Sequence, residues 1–280
     1  MSLNTPSRIL LTGAAGIVGT ALRPILGTRY DHVLLTDIVS IQDLLPNESY
    51  QQADLRELHA LEKLCAQVDG IIHLGGMVGA AYGFEDVLGP NIIGSHHLFE
   101  AAMRQGVKRV IYASSHHVVG FVPRGSCLDH RSAPRPNGEY ALSKAFGEAA
   151  ASYYADKFGL EILSIRIGYM GDDLSKERRL HTWVSARDLA QLIHIGLTHP
   201  ELHHEIVYGV SEVPQPFFDN QNATRLGYVP QDRVLDHIQI PEIFDRQPDL
   251  STIEEGVVGG GFATVGFAGD PARVLARRES

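Results

Sequence analysis

Apolar residues follow two rhythms along the first two thirds of the chain. Short unbroken runs occur at Arg8-Ile-Leu-Leu-Thr12, His32-Val-Leu-Leu-Thr-Asp37, Gly70-Ile-Ile-His-Leu-Gly75, Arg109-Val-Ile-Tyr-Ala-Ser114 and Glu161–Ile167, with weaker ones at Ser49–Ala53 and Glu205–Val210. Between them lie Ile17–Leu26, Glu57–Gln67, Asn91–Gln105 and Glu139–Phe158, where apolar positions recur at helical spacing. A run that is apolar at every position has no face to give to water, so these runs read as strands of a parallel sheet covered on both sides. The intervening stretches read as its crossover helices. Gly106 and Gly159 are placed as helix stops. Ser185, with Asp188 three residues on, reads as the cap of a helix ending at Thr198. The pattern predicts an α/β chain: a Rossmann-like, doubly wound parallel sheet. After Gly168 the rhythm fades, and residues 168–182, 213–225 and the tail from Pro241 mix proline, glycine and charge. These stretches predict a small discontinuous cap over the C-terminal edge of the sheet, where open α/β sheets take their ligands. The expected organisation is a dinucleotide-binding domain over residues 1–168, its core also taking in about 185–210, with 169–280 mainly substrate-binding cap and tail.

Composition narrows the field. With 280 residues and 44% hydrophobic content, the chain can bury a core without a disulfide or metal staple. A net charge of −9 makes it a poor nucleic-acid binder, which would need clustered cations. No apolar run approaches the roughly 18 residues of a membrane span. Nothing from Met1 to Ser7 resembles an export signal, and two cysteines cannot build a disulfide framework, so a cytoplasmic location is expected. Cys65 sits in an apolar helical pattern and reads as a small core residue, whereas Cys127 falls in a loop without nucleophile partners. The pairs His96-His97 and His203-His204 lack zinc-site spacing, and no metal is expected.

Between the first strand and first helix stands Gly13-Ala-Ala-Gly16-Ile17-Val-Gly19. Glycines there let the backbone approach a pyrophosphate, whose charge meets the helix N-terminus. Asp37 ends the second strand, where a carboxylate reaches the adenosine ribose hydroxyls and repels a 2′-phosphate. Ile38 and Val39 follow with no cation, which favours NAD over NADP. The plain alternative is a tight turn and a solvated strand end. Asp54 and Leu55 lie where they could meet the adenine, and Leu74-Gly75-Gly76 is small enough for the cofactor to pass. Asn91 reads equally as a cofactor contact or a helix cap.

Tyr140 and Lys144 stand at i and i+4, on one face of a helix start. A nearby cation and the helix N-terminus both favour phenolate, so Lys144 is expected to lower the Tyr140 pKa and make it a general base. Ser115, at the end of the fifth strand, is placed to orient a substrate oxygen. Tyr153 and Lys157 repeat the spacing, but thirteen residues turn a helix by roughly 220°, so that pair faces away and reads as packing and surface.

Together these residues resemble the extended, epimerase-like branch of the short-chain dehydrogenase/reductase superfamily, and within it the NAD-dependent uronate dehydrogenases. The stretches that carry the likeness are Leu11–Gly16, Asp69–Gly76, Asn91–Gly94, Ala113-Ser-Ser-His-His117, Arg135–Tyr140, Ser143-Lys144, Arg166–Gly168, Thr182-Trp183, Phe218–Asn220 and Leu226–Tyr228, with a looser echo at Gly260-Gly-Phe262. The resemblance implies oxidation of a cyclic hexuronic acid, galacturonate or glucuronate, at C1 to an aldarolactone. It implies that Tyr140 takes the hydroxyl proton, Ser115 holds the hydroxyl and Lys144 binds the nicotinamide ribose. Ala113 and Ile167 would complete the cofactor's surroundings. Arg178 would grip the substrate carboxylate, a pairing that suits a bidentate guanidinium; read alone, Lys176-Glu-Arg-Arg179 is a solvated charged turn. A homo-oligomer, paired through the Asn91–Gln105 and Glu139–Phe158 helices, is implied as well.

Three positions depart from the family pattern. His116 replaces a usual asparagine, Tyr169 a small hydroxyl residue, and the Met77-Val-Gly79 loop lacks a polar residue. All would line the sugar pocket. His116 and His117 would point to opposite sides if the strand continued, one touching substrate and the other packing. Two other functions fit the same scaffold: a nucleotide-sugar epimerase or dehydratase, and a non-catalytic dinucleotide sensor. The first wants a larger C-terminal lobe and a carboxylate near the serine, and the second would not need Ser115, Tyr140 and Lys144 together.

Overall fold

The structure, a computed structural model, describes residues 6–238, 243 and 246–277. The chain start read for export signals and Pro241, where the tail begins, lie outside the described residues. Seven strands form one parallel sheet: β1 (Arg8–Thr12), β2 (His32–Thr36), β3 (Glu48–Tyr50), β4 (Gly70–His73), β5 (Arg109–Ser115), β6 (Glu161–Ile167) and β7 (His204–Gly209). Their order is β3-β2-β1-β4-β5-β6-β7, so the winding reverses between β1 and β4 and opens a crevice at their C-terminal ends.

Continuous apolar runs are used on both faces. Ile9 and Leu11 of β1 point into one cluster with Leu22 of α1 (Ile17–Leu26) and Leu189 and Ile193, which lie on a later helix, Ala186–Thr198. Leu10, between them, points into the opposite cluster with Leu64 of α2 (Leu58–Cys65), Phe99 and Tyr154. The expected boundaries of α1, β6 and the Glu139–Phe158 helix are met. The helix expected from Asn91 begins earlier, as α3 (Phe84–Val87), a π-helical turn (Leu88–Ile93) and α4 (Gly94–Gln105). Asn91 therefore caps nothing: it lies inside the wide turn. Ser185 is the expected cap, its hydroxyl accepting from Asp188 N–H at 3.0 Å.

Beyond the sheet, apolar residues gather in separate small clusters. One joins Val119, Val122 and Leu128 to Tyr208, Phe218 and Val258; another joins Leu174, Leu180, Trp183 and Val234. The loop after β5 thus packs with the C-terminal segments, held by bridges Pro123–Val257 and Leu128–Phe218.

A charged network runs beneath this junction. Arg166 (β6), 1% exposed, donates to both oxygens of Glu148 at 2.9 Å and to the Tyr208 hydroxyl at 3.0 Å. Ser114 donates to the same carboxylate at 2.6 Å. Removing one member of a buried pair strands the other charge. Arg166→Met is therefore expected to cost about 3–5 kcal/mol in urea unfolding. Adding Glu148→Leu should restore much of the loss.

Candidate active site

At the crevice, β1 runs into Gly13, whose φ of 68° is left-handed and whose absent side chain lets the Gly75 backbone pass; a β-carbon would lie 2.7 Å from Gly75 N. Gly16 precedes α1 without a side-chain cap, no acid occupies the first turn, and Gly19 is buried within the helix. Asp37 follows β2 and accepts Ala15 N–H at 3.0 Å and Val39 N–H at 3.2 Å, which clamps the glycine loop to the second strand. The Leu74-Gly75-Gly76 turn is fixed by a buried chain absent from the sequence reading. Thr12 Oγ1 accepts Gly75 N–H at 3.1 Å and meets His73 Nδ1 at 2.8 Å, while His73 Nε2 meets Ser95 Oγ at 3.3 Å. Asn91 Oδ1 accepts Met77 N–H at 2.7 Å, and its amide donates to Met77 O and Ser143 Oγ. It spends its polar atoms holding the glycine turn to α5 (Glu139–Phe158). Leu55 is buried against Gly75 and Gly94, Asp54 pairs with Arg56 at 2.5 Å, and Gly79 lies against the Tyr82 ring.

These residues fit a dinucleotide. The α1 N-terminus is uncapped, suited to a pyrophosphate. Ile17, Ile38 and Val39, beside Gly16 and Asp37, are 79%, 61% and 58% exposed, apolar surface of the kind a base and ribose cover.

Ser115 ends β5 between Ala113 and the following turn, and Ile167 pairs with it across the sheet on β6. Tyr140 lies in the first turn of α5, Lys144 one turn later, and all three side chains are buried. The Ser115 hydroxyl lies close enough to Tyr140 to favour its ionised form. The electrostatics correct the expectation of an acidified phenol. Burial pushes Tyr140 up to about 12, opposed by the nearby Ser115 hydroxyl and not by Lys144. Burial instead pushes Lys144 down to about 8. Its ammonium stands 5.1 Å from the Tyr112 ring centre and 5.9 Å from that of Tyr140, without an ion pair among the described residues. A lysine with a depressed pKa binds fewer protons folded than unfolded between about pH 8 and 10.5, so stability rises with pH across that window. Lys144→Met is thus expected to stabilise the protein by about 3 kcal/mol below pH 8, the gain vanishing above 10.5, as read from denaturation midpoints against pH. Lys157 donates to the Tyr153 hydroxyl at 3.1 Å on the exposed face of α5, as expected for the second tyrosine–lysine pair.

After Ser115 the strand does not continue. Residues His116–Val119 form a 3-10 turn capped by Ser115, so the two histidines do not alternate sides: their ring centres are 4.2 Å apart. His117 stacks on Phe262 at 4.2 Å, stands edge-on to Tyr140 at 6.3 Å and takes a hydrogen bond at Nδ1 from Asn137 at 3.1 Å. His116 Nδ1 meets the Ile167 carbonyl at 3.0 Å. Burial, then the charge of Arg178, depress His116 to about 4; burial, then His116 and Arg178, depress His117.

Arg178 is not a solvated turn. It lies on α6 (Glu177–Leu180), donates to Val258 O at 2.7 Å and fills the space left by Gly260, where a β-carbon would meet its Nε at 2.1 Å. Its neighbours are paired, Arg179 with Asp173 and Arg124 with Glu177 and Glu255. Arg178 has no ion pair among the described residues, and burial beside Arg124 and Arg179 pushes it down to about 10. Tyr169 follows β6 two residues after Ile167; its ring supports the Arg179 guanidinium at 4.4 Å and packs with Leu174 and Trp183. Asn137 and Phe262 were missed as site residues. Only the Gly260-Gly-Phe262 echo hinted that the tail returns here.

The model of the NAD-dependent epimerase/dehydratase family matches residues 9–170, from β1 to just past β6. The chain belongs to this family. As a member it is an NAD-using enzyme, and its likeness to relatives extends over nearly the whole chain. It is 41% identical to a uronate dehydrogenase of Pseudomonas syringae pv. tomato, across 94% of this chain and 96% of that one. Among solved structures it superposes on a glucuronic acid dehydrogenase from Chromohalobacter salexigens with a TM-score of 0.86, at 37% identity and covering 95% and 98% of the two chains. It also superposes on a uronate dehydrogenase from Agrobacterium tumefaciens in complex with NAD, with a TM-score of 0.85, at 35% identity and covering 92% and 97%. Among the described residues of this family member, no helix is long and apolar enough to cross a membrane.

Proposed function

We propose that the enzyme oxidises a hexuronic acid, galacturonate or glucuronate in its cyclic form, at C1. The C1–H bond breaks with its electron pair leaving as hydride, the hydroxyl proton leaves to Tyr140, and C1 becomes the carbonyl of an aldarolactone. Bound NAD⁺ supplies the hydride acceptor and brings positive charge into the pocket. Gly13, Gly16 and the first turn of α1 hold its pyrophosphate, Asp37 its adenosine ribose and Lys144 its nicotinamide ribose. Ser115 holds the reacting hydroxyl against Tyr140.

One observation carries the choice of substrate: Arg178 is a half-buried guanidinium without a carboxylate partner among the described residues, and its charge reaches His116 and His117. A cation kept out of water is costly unless an anion meets it, and a carboxylate meets guanidinium with two parallel bonds. The uronate-oxidising relatives support the same substrate. Against a nucleotide-sugar epimerase or dehydratase, Ser114–His117 offers no carboxylate and the nearby Glu148 is engaged by Arg166. Incubating the enzyme with NAD⁺ is expected to yield NADH with galacturonate or glucuronate, and no interconversion of nucleotide sugars. The reverse outcome would transfer it to the epimerase branch.

The exposed apolar stripe of α5, with Leu142, Phe146 and Tyr153 on one side, supports pairing with a second copy through this helix.

A further inference from the structure

His116 carries a second observation that the proposed reaction does not use. Its Nδ1 lies 3.0 Å from the Ile167 carbonyl oxygen, which can only accept, so the ring proton must be on Nδ1. Its Nε2 is then a bare lone pair. That atom is buried, the residue is 5% exposed, and no donor among the described residues reaches Nε2. Buried acceptors without partners are rare, because the group loses its water and gains nothing. This acceptor sits in the ring next to His117, whose edge faces Tyr140, and both histidines feel the charge of Arg178. His116 also follows Ser115 directly in the chain.

We propose that His116 is a fixed hydrogen-bond acceptor for one ring hydroxyl of the sugar acid and thereby determines which hexuronates are accepted. The inference rests on the uronate reading and adds to it the chemistry of one contact. An asparagine, usual at this position, presents a donor or an acceptor according to how its amide turns. His116 presents one face only, because protonating Nε2 would place a cation beside Arg178 in a pocket that already pushes the imidazole down to about 4. The substrate hydroxyl must donate. A fluorine in its place cannot, and it leaves the lone pair unpaired.

The test uses the holoenzyme with a set of hexuronates in which each ring hydroxyl, C1 excepted, is replaced in turn by fluorine. Wild type is expected to lose about 100-fold in kcat/KM at one position, and His116→Leu to show little or no further loss at that same position. Imidazole ¹⁵N spectra of the wild type, with His116 assigned by its loss in His116→Asn, provide a readout that does not depend on how the leucine variant folds. They are expected to show Nδ1 protonated, with the Nε2 signal moving when uronate binds. Equal fluorine penalties in wild type and His116→Leu, or a protonated Nε2, would overturn the role of His116 while leaving uronate oxidation standing. A wild-type enzyme that oxidises no hexuronate would remove the functional reading itself, a different failure.

Discussion

Tyr140→Phe is expected to lower kcat about 10³-fold while NAD affinity, measured by fluorescence titration, changes little. The ring of Tyr140 is buried and packs edge-on to His117, so removing one oxygen leaves the wall of the pocket in place. What disappears is the phenol hydroxyl beside Ser115. With burial holding that phenol near 12, it is a poor base when the pocket is empty of charge. In the proposed reaction its deprotonation depends on the positive charge that bound NAD⁺ would bring, since Lys144, 5.9 Å from its ring centre, does not lower its pKa. The rate of the wild type is accordingly expected to climb with pH, and the residual rate of the phenylalanine variant to lose that dependence. A variant that keeps turnover within tenfold of wild type would remove Tyr140 as the base.

Arg178→Met should have the second largest effect, and a selective one. The methionine keeps an unbranched chain against Gly260 but loses the bond to Val258 O and the charge. Loss of one partner from a desolvated charged pair costs about 2–5 kcal/mol, so kcat/KM for galacturonate is expected to fall at least about 100-fold. Galactose, which offers no carboxylate, should lose only a few-fold. The ratio between acid and neutral sugar is the decisive quantity, because a variant that merely loosens the tail segment would lose both substrates equally. Equal loss would place Arg178 among the structural residues of the cap.

Much of this protein was legible in its residues. The β1 run is apolar at every position because Ile9 and Leu11 meet one helical layer and Leu10 the other, and that two-sided burial is itself the mark of a parallel sheet. Local patterning also placed Gly13, Asp37 and Ser115 at strand ends, which in this topology converge on one edge, and Tyr140 and Lys144 at the start of the helix Glu139–Phe158. The pocket beyond them was harder to read. Asn91 reads equally as a cofactor contact or a cap, and the capping reading fails because the turn before α4 is π-helical, a local winding that spacing does not reveal. The two histidines looked like alternating strand residues because the chain turns at Ser115, one residue later than any apolar signal lasts.

By itself, then, the order of residues determined the layers, the sheet, the dinucleotide groove and the tyrosine–lysine pair, all features set by contacts close in sequence or by a repeated period. Tertiary structure decided what the charges do. Whether Arg178 is a fully solvated cation or a half-buried one held in place depends on Gly260 and Val258, some eighty residues away. Whether Tyr140 is acidified or held neutral depends on how completely the cap removes water from around it. Both are questions of desolvation, which is a property of the assembled volume around a group and is written in no single stretch of chain.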